Sequence, residues 1–225
     1  GAGNPIDVLN GNKYQRETDL APLPGVLGLE IVRHYNSAYA DSGRASGLFG
    51  RGWRLSYETT LHVIRDTLQI VQADGRGLIF RREPDSGTRC ASTDPADGYI
   101  ETRTADDGTH YVWHWTHGAG AGRALGFDAD GRLIQILAPS GEFVSLHYAP
   151  DGSLLRIVDP QERELRFRYA RTPGQGAGRQ VSQIDSPAGS FHYRYADATP
   201  ATPGGRPEPL LTQVEREVAA GRVGR

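Results

Sequence analysis

The sequence contains no methionine, a single cysteine and a single lysine, Lys13. Cys90, standing alone, cannot close an internal disulfide, so no cystine framework holds the fold and cysteine usage does not report a redox compartment. The missing methionine, together with the opening Gly1-Ala2-Gly3, leads us to expect a piece of a longer polypeptide. The formal net charge is only -2. Binding to polyphosphate or an anionic bilayer needs an excess of positive charge on one face, so neither nucleic acid nor a membrane is expected as a partner. No apolar run approaches the roughly 20 residues of a membrane helix, and no basic-apolar-small leader opens the chain. A 3.6-residue hydrophobic period is also scarce.

What is present is alternation, which predicts an all-β fold. The chain reads as a polar, turn-like arm from Asn4 to Arg16. A strand follows over Leu29 to Tyr35, then a Gly- and Ser-rich loop from Asp41 to Gly52. Alternation resumes over Trp53 to Tyr57 and Thr59 to Ile64. Asp74-Gly75 between two apolar runs predicts a hairpin, and Asp107-Gly108 predicts a second. The interval Glu83 to Asp97, which holds Cys90, reads as polar turns. Gly118 to Gly122 reads as a loop or seam. Leu210 to Ala220 fits a short helix or another strand.

A repeat organises the second half. Phe127, Tyr148 and Tyr169 stand 21 residues apart, as do Asp130-Gly131 and Asp151-Gly152. Leu133 matches Leu154, Ile136 matches Ile157, Pro139 matches Pro160, and Leu146 matches Phe167. A looser copy runs through Val181, Ile184, Pro187, Gly189 and Tyr195, and Leu211 to Val214 suggests the start of a fourth. Each unit reads as one β-hairpin, which cannot bury an apolar face alone; stacked hairpins can, and they also cover one another's edges. We expect a region at 1–117 that precedes the repeats and a repeat region at 118–225, with units near 127–147, 148–168 and 181–195.

These units resemble the YD repeats of the Rhs polymorphic toxin family, whose pattern runs Tyr/Phe-Asp-x-x-Gly-x-Leu. The second unit departs from it at Ala149. Asn4-Pro5, Gly11-Asn12-Lys13, Glu17-Thr18-Asp19, Leu29 to Tyr35 and the block Gly50-Arg51-Gly52-Trp53-Arg54-Leu55-Ser56-Tyr57-Glu58 are similar to the domain that precedes the repeats in that family. The resemblance implies a wrapping shell of stacked antiparallel hairpins, a cocoon, that encloses a C-terminal toxin. It implies as partners the remainder of the same polypeptide and the spike-tip and spike proteins of a type VI secretion system. It further implies residence in the bacterial cytoplasm before export and delivery into a target cell. The structural residues would be Phe127, Asp130, Gly131, Tyr148, Asp151, Gly152, Tyr169 and Tyr195 in the repeats, and Gly50, Gly52, Trp53 and Tyr57 before them.

Candidate chemistry is thin. His110, His114 and His117 would suit zinc on a helix, but Tyr111, Val112, Trp113 and Trp115 are strand formers, and strand spacing puts His117 out of phase with the other two. Ser56, Ser140 and Ser153 lack a Gly-x-Ser-x-Gly elbow. The Gly-rich runs at Gly118 to Gly122 and Gly174 to Gly178 lack a phosphate-binding ending. Asp159-Pro160 resembles the Asp-Pro of the family's autoprotease, yet it aligns with Ala138-Pro139 and reads as a turn. We therefore expect no catalytic residue, no metal and no cofactor. The alternative is a carbohydrate-binding β module presenting Trp53 and the stripe Tyr111, Trp113 and Trp115; a hydrolase is a weaker third reading.

Overall fold

The computed structural model describes residues 12–40, 47–170, 180–196 and 209–218. The turns expected at Asn4-Pro5 and Asn10-Gly11, the Gly174 to Gly178 run, and Asp41 to Ser46 of the expected loop lie outside the described residues. Three strands form a small antiparallel sheet: β1 (Tyr14–Leu20), β2 (Ile31–Asn36) and β3 (Trp53–Leu55), in that order. A single helical turn, Ser37–Ala40, follows β2. Tyr14 to Arg16 thus belong to a strand rather than to the expected arm. The strand Tyr-Gln-Arg-Glu-Thr-Asp-Leu is so polar that only Leu20 is buried, and its alternation carries no hydrophobic signal.

Among the described residues, fourteen strands form one antiparallel sheet in sequence order. They are β4 (Thr60–Ile64), β5 (Thr67–Val71), β6 (Gly77–Arg82), β7 (Arg89–Ala91), β8 (Tyr99–Ala105), β9 (Gly108–His114) and β10 (Ala124–Phe127). After these come β11 (Leu133–Leu137), β12 (Phe143–Tyr148), β13 (Leu154–Val158), β14 (Glu164–Tyr169), β15 (Val181–Ser186), β16 (Gly189–Ala196) and β17 (Leu210–Val218). The fold is all-β. Both Asp-Gly hairpins form, as β5–β6 and β8–β9. Position 117/118 falls inside this sheet, where β9 pairs with β10, whereas the change from the small sheet to the large one falls between Leu55 and Thr60. Leu210 to Val218 is a strand.

The interval around Cys90 holds a strand that the composition conceals. β7 is only three residues long, between polar turns, and it carries Cys90 into the core at 3 % exposure. Burial there pushes the thiol above its usual range, with Arg82 acting the other way and Glu83 adding to the rise. A buried, protonated thiol is a small apolar side chain.

One five-residue turn recurs at 72–76, 128–132, 138–142, 149–153 and 159–163. In each, the first residue's N–H donates to the fifth residue's C=O, and the fourth residue's N–H donates to the first residue's C=O. The fourth residue has positive φ, and it is Gly in all but the last, where Glu162 stands at φ 59°. Pro139 and Pro160 occupy the second position, where their fixed φ suits the turn. Asp128 and Asp159 lock their turns alike: each carboxylate accepts the N–H of the Arg four residues on and pairs with that guanidinium, at 2.8 Å for Arg132 and 2.7 Å for Arg163. Asp159-Pro160 is such a turn.

The core runs along one face of the large sheet, through Leu61, Ile70, Phe80, Ile100, Trp113, Phe127, Leu146, Ile157, Phe167, Ile184 and Phe191, and takes in Leu20, Leu29, Ile31, Phe49 and Leu55 of the front segment. The small sheet therefore supplies the surface that the large sheet buries. The opposite face carries cross-strand ion pairs such as Arg156–Glu164 at 3.0 Å, Arg168–Asp185 at 3.0 Å and Arg194–Glu215 at 3.2 Å. Such exposed pairs contribute little to stability but keep the face wet.

Candidate functional site at the seam between the front segment and the repeats

The repeat aromatics sit at equivalent places. Phe127 pairs with Leu133, Tyr148 with Leu154, Tyr169 with Val181, and Tyr195 with Leu211, each beside a register shift. The shift is a β-bulge that inserts one residue after the Leu or Val position, as Leu155 shows at 47 % exposure. This explains why the apolar positions in each unit, such as Leu154 and Ile157, stand three apart and yet share the buried face. Strict alternation would have sent Ile157 outward.

The tyrosine hydroxyls reach back across their own hairpins. Tyr148 donates to Leu133 C=O at 2.8 Å, Tyr169 to Leu154 C=O at 2.8 Å, and Tyr195 to Val181 C=O at 2.7 Å. Each ring thus ties the start of one hairpin to the start of the next: its hydroxyl holds the strand behind, and its backbone pairs with the strand ahead. Burial pushes the Tyr148 and Tyr195 hydroxyls far above the usual phenol range, with Glu58 adding to both, so they remain donors. Tyr148→Phe is expected to lower the unfolding free energy by about 1 kcal/mol through loss of that one bond. Urea unfolding of the two forms checks it.

The motif before the repeats docks on this row. Val181 N–H donates to Leu48 C=O at 2.9 Å, and Arg51 N–H donates to Pro209 C=O at 3.0 Å. Gly50, at φ 81°, lies so close that a Cβ there would come within 2.2 Å of Pro209 O. Phe49 and Tyr193 pack with ring centroids 4.7 Å apart. Trp53 packs at a tilt against Tyr35, ring centroids 5.3 Å apart, and its ring centroid lies 4.7 Å from the carbon of the Arg33 guanidinium. Tyr57 is buried and its hydroxyl accepts the Glu30 N–H at 3.4 Å. Gly52, at φ 76°, turns the chain into β3, and its C=O accepts the Asn36 N–H.

Two groups that sequence reasoning did not single out hold the seam together. Glu58 accepts the Leu48 N–H at 3.0 Å and the Leu55 N–H at 2.6 Å, which cross-braces the loop from Gly47 to Glu58. Burial pushes its carboxyl above the usual range, while the Leu55 N–H, Arg54 and the Leu48 N–H draw it back. Asp19 receives Arg33 in a fork, Nε at 2.7 Å and Nη2 at 2.8 Å, and also accepts the Tyr193 hydroxyl at 3.0 Å. This bond joins β1 of the small sheet to β16 of the large one. Both carboxylates end blocks that the resemblance already marked, Glu17-Thr18-Asp19 and Gly50 to Glu58, but no sequence pattern assigned either of them a role or a partner.

His34 lies on β2 with its Nδ1 2.7 Å from the Tyr14 hydroxyl. Burial holds its imidazole below the usual range, opposed by Asp74 and helped by Arg16. As pH falls through about 6.5, the unfolded chain takes up a proton that the folded chain accepts only at lower pH. Stability is therefore expected to drop on acidification through that window. Thermal unfolding between pH 7.5 and 5 should show a shallower fall for His34→Gln than for the parent.

The other expected candidates separate. His114 meets Glu101 at 3.2 Å and stacks on Tyr99, His110 meets Asp107 at 2.8 Å, and His117 contacts Thr116. Among the described residues no group of three or more His, Cys, Asp and Glu could hold a metal ion. The aromatic stripe points inward: Trp113 has no exposed surface, donates its ring N–H to Asp97 C=O at 2.7 Å, and stacks on Trp115.

Residues 3–80 match the family model described as a domain of unknown function, DUF6531. The match covers the small sheet, the docking loop and the first hairpin of the large sheet. The chain is also 37 % identical, over a 223-residue alignment, to a protein of Burkholderia cenocepacia (strain H111) named double-stranded DNA deaminase toxin A. That alignment covers 86 % of this chain but only 15 % of the relative. The chain is thus related, across both its front segment and its repeats, to a small part of a toxin-named protein. No helix among the described residues is long and apolar enough to cross a membrane.

Proposed function

We propose that the chain is a structural wall segment of an Rhs-type toxin, the part in which the domain preceding the YD repeats covers the first turns of a shell built to enclose a C-terminal toxin. The observation that carries this reading is the row of tyrosines. Tyr148, Tyr169 and Tyr195 each lock one hairpin to the next by the same bond at the same bulge. Such a device adds one hairpin to the sheet per repeat, which is what a wall needs. The segment is not an enzyme on this reading: its two seam carboxylates are engaged, Glu58 by main-chain N–H groups and Asp19 by Arg33. Its partners are the remainder of the same polypeptide and, for delivery between bacteria, the spike of a type VI system. The carbohydrate alternative loses its main support because Trp113 is inside the core.

The test is co-expression of the chain with the remainder of its natural polypeptide, followed by limited proteolysis of the complex and of the chain alone. A wall segment co-purifies and gains protection along β17, whose outer edge has no described partner. Equal cleavage of β17 in both samples, or failure to associate, overturns the proposal.

A further inference from the structure

We infer that the cavity between the front segment and β10 to β12 is a binding site for a free α-amino acid with an aliphatic side chain. The cavity measures about 430 Å³, within the roughly 300–1,000 Å³ of ligand pockets. Its wall is shared by the loop before β2, the residues that follow β3, the turn at 72–76, and the buried face of β10, β11 and β12. Both the front segment and the large sheet are needed to form it.

Two buried hydroxyls face this space without the partners they need. Ser56 Oγ is buried and has no hydrogen-bond partner among the described residues. Tyr57, only 7 % exposed, accepts the Glu30 N–H, which puts its hydroxyl at the same wall and leaves its proton without an acceptor among the described residues. Burial pushes that hydroxyl far above the usual phenol range, so it stays a donor. A polar group buried in this way is costly unless a bound molecule or water completes it.

Charge of both signs is at hand. Glu30 and Arg123 line the cavity and act on the Tyr57 hydroxyl in opposite senses, yet neither forms an ion pair among the described residues. The rest of the wall is apolar and rigid. Leu125 and Ile136 belong to the core, and Trp115 is fixed by its stack on Trp113 and by Gly120, where a Cβ would stand 2.0 Å from the ring. Leu27 borders the cavity at φ 52°, a strained conformation for so large a side chain and one that clusters at ligand sites.

These groups together select a zwitterion. The Arg123 guanidinium and the Tyr57 hydroxyl supply donors for a carboxylate, Glu30 and Ser56 supply acceptors for an ammonium, and the apolar wall takes a side chain borne on the same carbon. An acid without the ammonium leaves Glu30 unmatched, and an amine without the carboxylate leaves Arg123 and Tyr57 unmatched. The site does not depend on the shell reading, because it lies within the seam and requires no further part of the polypeptide.

The probe is L-leucine, titrated into the full chain by calorimetry beside isocaproate, which lacks the ammonium, and isoamylamine, which lacks the carboxylate. Saturable, one-to-one binding of L-leucine is expected, at least about tenfold tighter than either analogue. Amide resonances of Ser56 and Tyr57 and the ring N–H of Trp115 should shift with the same saturation. Arg123 is exposed, so Arg123→Gln should unfold at the parent's temperature while binding L-leucine at least about tenfold more weakly. Absence of saturable binding overturns the inference and leaves water as the partner of Ser56 and Tyr57. Equal affinity for L-leucine and isoamylamine overturns it too, as does an Arg123→Gln variant that binds L-leucine as the parent does.

Discussion

Asp19→Ala is expected to lower the unfolding free energy by about 3–5 kcal/mol, the cost of stranding a buried charge. The Asp19 and Arg33 side chains retain only 8 % and 7 % of their exposure. Removing the carboxylate leaves the guanidinium facing Trp53 and Phe49 with only the weaker attraction of Glu17, and leaves the Tyr193 hydroxyl without its acceptor. The loss measures the uncompensated charge rather than the worth of the pair. The double substitution Asp19→Leu with Arg33→Met, which removes both charges and keeps the volume, should therefore recover most of the stability. Urea unfolding of the three forms checks this. A loss below about 1 kcal/mol for Asp19→Ala would mean that water reaches the guanidinium and that the pair does not hold the two sheets together.

The repeats were readable because a hairpin is a local object. Leu154, Ile157, Phe167 and Tyr169 recur in step with Asp151-Gly152, and neighbouring strands pair in chain order, so sequence spacing maps directly onto space. The bulge was written in the same residues, as a spacing of three between Leu154 and Ile157 where a plain strand has two, and the period-two reading passes over it. β1 and β7 were not readable. β1 is polar along most of its length, and β7 is three residues long; both form because neighbours already in place accept their main-chain bonds. The seam was the least legible part. Asp19 meets Tyr193 across 174 residues, and Gly50 meets Pro209 across a comparable distance. No periodicity carries that information. What the sequence did hold was the cluster Gly50, Gly52 and Trp53, whose glycines answer to positive φ and, at Gly50, to a carbonyl too close for any side chain.

The glycines of the two matched turns separate repeat grammar from wall contact. Gly131 and Gly152 occupy the same turn position at nearly the same φ, 76° and 82°. A side chain at either must adopt the left-handed conformation, which costs about 1–2 kcal/mol. Gly152→Ala should cost about that much and no more, because its Cβ would find Arg132 Nη1 at an ordinary 3.6 Å. Gly131→Ala is different. Its Cβ would stand 1.9 Å from Leu61 O, a main-chain atom of β4 that cannot swing away. The turn must then withdraw from β4, breaking the bond from Leu61 N–H to Gly131 C=O and opening the bridge between Thr60 and Arg132. The expected total is about 3–4 kcal/mol, at the upper end for a single substitution. Amide exchange at Leu61 should quicken in Gly131→Ala and stay unchanged in Gly152→Ala. Equal losses in the two variants would mean that the turn at 128–132 serves only its own hairpin, and that β4 is held in the sheet by β5 alone.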